Sequence, residues 1–126
     1  MKKTGMMWGL CVAMGLCTAS FAGERFSSSV FVNTTTRAFS GNLGTARNSS
    51  DGLQNLSCYT VSTGAGGCSA TDSSGVSASC VTSDAEALAT IRALNEDSNL
   101  QVSYDSMGVC TFIWVFTGSK YETKGP

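Results

Sequence analysis

The stretch CSATDSSGVSASC, residues 68–80, carries a cysteine at each end and an evident turn between them, and two further cysteines stand at 58 and 110. How these four sulfurs pair decides what a chain this small can fold into. Cys11 and Cys17 fall earlier, in residues 1–22, which read as an export signal. Lys2 and Lys3 give it a charged start, an apolar run follows from Met6 to Leu16, and Ser20 and Ala22 offer small residues for cleavage before Gly23. The run is shorter than the ~20 apolar residues of a membrane span, so no membrane span is expected. A lipid anchor on Cys17 is the lesser alternative, because Met14-Gly15-Leu16 ahead of it is a poor lipidation context.

The expected mature chain is residues 23–126, a single domain by length, secreted or periplasmic. An even number of cysteines in an oxidising compartment implies two disulfides, for which three connectivities exist. Structural zinc needs cysteines two to four positions apart. No pair here is that close and the chain has no histidine, so neither a metal nor another cofactor is expected. Once Lys2 and Lys3 are removed, the acidic residues outnumber the basic ones and the formal charge is −3. That balance argues against a nucleic-acid partner, which requires clustered Lys and Arg. Serine and threonine are abundant and there is a single proline, a composition that fits a strand-rich surface. A core of this modest size gains appreciably from crosslinks.

Residues 24–37 look extended, with Phe26, Val30 and Val32 among serines and threonines. FSGNLGTARNSSDG (39–52) reads as a short strand entering a polar loop. LQNLSCYTVS (53–62) resembles a strand, and GCSATD and GVSASCVT flank a hairpin turn at 73–75. Three-residue hairpin loops commonly place glycine third, in the left-handed conformation. Loop 73–75 then pairs Asp72 with Val76 and sets Cys68 opposite Cys80. Loop 62–64 pairs Val61 with Ala65 and sets Cys58 opposite Cys68. Three thiols would line one face of three strands, so Cys68 has a candidate partner on either side and Cys110 takes the thiol left over.

SDAEALATIRALNED predicts the one clear helix, opened by Ser83 with Glu86 three residues on as a capping box. Its apolar side is Ala87, Leu88, Ile91 and Leu94. NEDSN (95–99) reads as a solvated turn, lacking the spaced carboxylates and glycine of a calcium loop. Two strands follow, LQVSYD (100–105) and VCTFIWVFT (109–117). Alternation in the last puts Cys110, Phe112, Trp114 and Phe116 on one side, where core packing is preferred over a sugar-stacking platform for the aromatics, and Val109, Thr111, Ile113 and Val115 on the other. Both sides are apolar, so either the helix or a neighbouring subunit should cover the second. The order β-β-β-α-β-β suits a small OB-like Greek-key barrel, mainly β with one helix, and an open sheet with a packed helix is the alternative.

Short pieces in this order, FSG (39–41), Cys58, CSATDSSGVSAS (68–79), EALATI, VSYD (102–105) and GVCTF (108–112), resemble the B subunits of AB5 toxins of the subtilase-cytotoxin and typhoid-toxin type. The chain is also similar to small exported proteobacterial proteins of unknown function with this four-cysteine pattern. The toxin resemblance covers roughly residues 38–116 and implies disulfides Cys58–Cys68 and Cys80–Cys110. It implies a pentameric OB-fold lectin that grips sialylated glycans, beside a separate catalytic subunit. The positions matching the family's sugar-binding serine and tyrosine are Ser40 and Tyr104. Arg37 stands near where the family has an acidic residue, and it offers a partner for a carboxylate.

An enzyme is not expected: without histidine, and with its thiols oxidised, the chain lacks the commonest bases and nucleophiles. The sequence thus leads to an exported glycan-binding subunit that oligomerises. Its rival is a structural or interaction protein of the envelope or extracellular matrix without sugar recognition.

Overall fold

A computed structural model describes residues 24–121; the expected export segment at 1–22 lies outside them. Along the chain run β1 (Phe31–Asn33), β2 (Ala38–Asn42), α1 (Leu43–Arg47), β3 (Asn55–Val61), β4 (Ala65–Thr71), β5 (Ser77–Thr82), α2 (Ala85–Arg92), β6 (Ser98–Tyr104) and β7 (Cys110–Thr117). Among the described residues no helix is long and apolar enough to cross a membrane.

Three hairpin loops set the registers, and each ends in a glycine with positive φ: Gly64 (89°), Gly75 (87°) and Gly108 (82°). Two of them repeat one device. Asp72 Oδ1 accepts the Ser74 and Val76 N–H groups, and Asp105 Oδ1 accepts those of Met107 and Val109. A short acceptor five residues ahead of the returning strand thus satisfies loop donors. The registers follow the sequence reading: Val61 opposes Ala65, Cys58 opposes Cys68, and Cys68 opposes Cys80. The disulfides are Cys58–Cys68 and Cys80–Cys110, so the two cysteines of the 68–80 stretch face each other across strands yet bond elsewhere.

The strands form two antiparallel sheets, β1-β2-β6-β7 and β3-β4-β5. They enclose a core in which Phe39 and Leu100 are fully buried, with Val102, Ala70 and the Cys68 and Cys80 sulfurs around them. Burying a side chain of the size of Phe39 or Leu100 stabilises by about 1.5–3 kcal/mol. Helix α2 lies against β7 and β3 and inserts Leu88 and Ile91. A methyl group on Gly66 would sit 2.8 Å from Leu88 Cδ2, so the bare backbone of β4 lets that helix approach.

The closed barrel expected from the sequence is not formed. The sheets meet along one seam, where Val81 bridges Val109 in parallel, the Val81 N–H donates to Gly108 O at 2.9 Å, and Cys80–Cys110 ties β5 to β7. At the other edge the chain leaves β2 through α1, a helix where the polar, glycine-containing sequence predicts a loop, and β1 adds an outer strand. Helix backbone satisfies its own hydrogen bonds, so no ladder carries β2 continuously into β3. The order is therefore seven strands and two helices among the described residues, not β-β-β-α-β-β.

Two local expectations are also corrected. Strand β5 runs to Thr82, leaving Ser83 extended, and the cap of α2 is Asp84, whose carboxylate accepts the Ala87 N–H at 2.9 Å. Second, the alternation of β7 is broken. Ser103 opposes Phe112 but Tyr104 opposes Cys110, so Thr111 is the extra residue of a β-bulge. Past it the parity reverses: Cys110 faces the core, and so do Ile113 and Val115. Phe112, Trp114 and Phe116, expected inside, turn outward and are half exposed.

The Cys80–Cys110 bond closes a separation of 30 residues and Cys58–Cys68 one of 10. Loop-entropy scaling then gives the first about 1 kcal/mol more stabilisation. Urea unfolding of Cys80→Ala/Cys110→Ala against Cys58→Ala/Cys68→Ala checks that difference. The single variant Cys110→Ser leaves a thiol on Cys80 directly across from Cys68. Attack of that thiolate on the Cys68 sulfur forms Cys68–Cys80 and releases Cys58 as thiolate. Alkylation followed by peptide mapping should therefore find label on both Cys58 and Cys80, and label on Cys80 alone would refute the sulfur row.

Candidate binding face

Opposed residues in a sheet share a face, so the registers of the four-stranded sheet give its outer surface row by row. One row reads Phe31, Ser40, Gln101, Trp114 from β1 to β7. The next reads Asn33, Ala38, Ser103, Phe112. A third, Asn42, Asn99 and Phe116, is roofed by the N-terminal segment. There Asn99 Nδ2 donates to Asn42 Oδ1 at 2.6 Å, and Asn42 Nδ2 donates to Phe26 O at 2.8 Å. Both asparagines are buried, so removing either amide would leave a polar group without a partner, at a cost of about 1–3 kcal/mol.

Phe26 bridges Tyr121 and meets its ring edge-on at 5.9 Å. Tyr121 meets Phe116 at 5.3 Å, and Phe116 meets Trp114 at 5.8 Å. These ring contacts wall one end of the open part of the face. At the other end lies the β1–β2 turn, begun by Asn33 Oδ1 accepting the Thr35 and Thr36 N–H groups. The floor between is neutral: Ser40, Gln101 and Ser103 carry hydroxyl and amide groups, and no carboxylate or amine belongs to these rows. The aromatic rim is open, with Phe31 56% exposed, Phe112 53%, Phe116 43% and Trp114 41%.

The three residues singled out from the sequence do not converge. Ser40 lies on this outer face. Tyr104 shares the inward parity of Leu100 and Val102 and packs on the core, its ring 6.1 Å from Phe39. The two hydroxyls thus belong to opposite faces of the sheet. Arg37 sits exposed in the β1–β2 turn with φ 57°, and its carbonyl accepts the Tyr104 N–H at 3.0 Å. For Trp114, Phe112 and Phe116 the sequence favours core packing over a sugar-stacking platform, because nothing local marks the bulge at Thr111, and nothing in it singles out Phe31.

Strand β1, which carries Phe31, has only three residues and is held by a polar chain from the loop behind it. Gln54 Oε1 accepts the Val30 N–H at 2.9 Å, and Gln54 Nε2 donates to Asp51 Oδ2 at 2.7 Å. Asp51 Oδ1 also accepts the Leu53 and Gln54 N–H groups at 2.8 and 3.0 Å. Led by the Gln54 side chain, these donors hold the Asp51 carboxyl below its ordinary value of 3.8. A polar hollow of about 400 Å³ opens beside this loop, lined by Ser27, Ser29, Thr45, Asn48 and Asp51 among others.

No protein family, no curated protein and no solved structure matches this chain. The face is therefore read from its own chemistry.

A carboxyl whose folded pKa is depressed stabilises above its unfolded pKa, and the effect is lost as pH falls through the folded value. Asp51→Asn should lower thermal stability near pH 7, and its difference from the parent should shrink as pH falls below the carboxyl's ordinary value of 3.8 toward its lowered one. Paired melts at pH 7 and pH 2.5 measure this, and an equal deficit at both would refute the Asp51–Gln54 account.

Proposed function

We propose that the chain is an exported, non-catalytic glycan-binding subunit whose contact surface is the outer face of β1-β2-β6-β7. The observation that carries this reading is the row Phe31, Ser40, Gln101, Trp114, in which aromatic rings flank a neutral hydroxyl and amide floor. Sugars present apolar C–H faces to rings and hydroxyls to amides and serines. At 150–250 Å² per aromatic side chain, the four half-exposed rings leave roughly 300–500 Å² of apolar surface. Spread around a neutral hydroxyl and amide floor, that surface offers sugar rings stacking partners and hydrogen-bond partners side by side.

The same reading takes the architecture as an opened OB-like fold. Its support is the pairing path: β3, β4 and β5 in sequence, then the bridge to β7, then β6 and β2. With α1 counted as an interruption of one long strand, β2 and β3 together are the first strand of five. Absent histidine and four disulfide-bonded cysteines support a role without catalysis. The reading needs no catalytic partner chain. A structural or interaction role is favoured by one separate observation, the exposed Tyr59, Val61 and Val81 on the outside of the other sheet, a second apolar surface suited to stacking.

Screened on a glycan panel, the mature disulfide-bonded protein should bind, and Ser40→Ala and Trp114→Ala should each weaken binding by roughly three- to tenfold with the melting temperature unchanged. Binding that survives both substitutions, or that follows Tyr59→Ala instead, would place recognition elsewhere.

A further inference from the structure

We infer that the outer face takes an extended, uncharged stretch of about three sugar units lying across the strands, and not a single acidic terminal sugar. This rests on the glycan-binding reading above and specifies its ligand.

Three observations lead there. The first is span. Phe31 and Trp114 stand at the two edges of a four-stranded sheet in a single row. Three inter-strand gaps of ~4.8 Å separate them by ~14 Å, about the length of three pyranose rings in a chain. One sugar ring cannot reach both aromatics. The second is charge. The rows beneath the ligand supply only Ser40, Gln101, Ser103, Ala38 and Asn33 between their aromatics, so hydroxyl and acetamido groups find partners and a carboxylate finds no cation on the floor. Arg37, the cation the sequence offered, belongs to the turn beyond the end of these rows, and Tyr104 to the other side of the sheet.

The third is shape. Two concave sites are elsewhere, a cleft of about 430 Å³ lined by Leu43, Arg47, Leu56 and Glu96 and the polar hollow by Asp51; a third, of about 410 Å³, meets the face only at Phe112 and opens toward Asp84, Glu86 and Thr90. The aromatic face is instead a platform that touches its ligand from one side. A platform buries little of any single ring, so affinity must accumulate along several units. The wall formed by Phe116, Tyr121 and Phe26 blocks an alternative path along the strands and leaves the crosswise one open.

Isothermal titration with two neutral series, chito-oligosaccharides and malto-oligosaccharides of one to five units, tests this on the mature disulfide-bonded protein. In one series affinity should rise steeply from one to three units and then level off. Phe31→Ala should remove the gain from the third unit, and Trp114→Ala should weaken every member by roughly three- to tenfold. Both side chains are on the surface, and a thermal melt confirms that each variant is folded. Affinity independent of length overturns the inference. So does binding confined to sialic-acid-terminated glycans, lost in Ser40→Ala and indifferent to Phe31→Ala; that result would leave the glycan-binding reading standing. Binding to neither neutral series nor to sialylated glycans overturns both.

Discussion

The bond between Cys80 and Cys110 joins the two sheets, and it imposes a conflict of parity on the last strand. Cys110 must face inward to reach Cys80. Ile113 and Val115 must also face inward, because α2 and the core residues around Leu100 and Val102 leave an apolar space to fill there. In an unbroken strand positions 110 and 113 point to opposite faces. The bulge at Thr111 resolves the conflict by inserting one residue between them. Its consequence is chemical: every aromatic residue of β7 is turned away from the core. The seam that stabilises the molecule thus creates the surface on which its function is proposed to rest.

That surface is bounded by polar clasps as much as by packing. Asn42 and Asn99 pin the N-terminal segment over one end of the sheet, where unpaired they would oppose folding. Gln54 ties Val30 to the loop ordered by Asp51, which keeps a three-residue edge strand in register. Such a strand contributes few ladder bonds of its own, so these side-chain contacts decide whether Phe31 is held in the row at all. The molecule therefore presents two long apolar edges of one platform by different means. Trp114 is carried by a strand with a disulfide at its start, Phe31 by a hydrogen-bonded loop.

A face of this kind limits what can occupy it. Half-exposed aromatics on a monomeric surface are common singly, but a contiguous group of this size is usually functional. The floor is uncharged, aromatic rings flank it, and the contact is one-sided. The extended neutral carbohydrate proposed above suits all three, whereas a phosphate or a nucleic-acid backbone would find no cation on the floor.

Short-range chemistry was readable along the chain, and long-range choice was not. Glycine at 64 and 75 needs a left-handed backbone that other residues avoid, and strand side chains alternate with period two. Those two facts set Cys58, Cys68 and Cys80 in a row, and apolar residues at helical spacing located α2. They left Cys68 with two possible partners. The toxin resemblance implied Cys58, and the folded molecule has that pairing, because Cys110 arrives from a strand far along the chain and takes Cys80. The outward turn of Phe112, Trp114 and Phe116, and the separation of Ser40 from Tyr104, were likewise decided in three dimensions. Each depends on where a distant strand must place its inward side chains, and no residue beside the bulge carries that information.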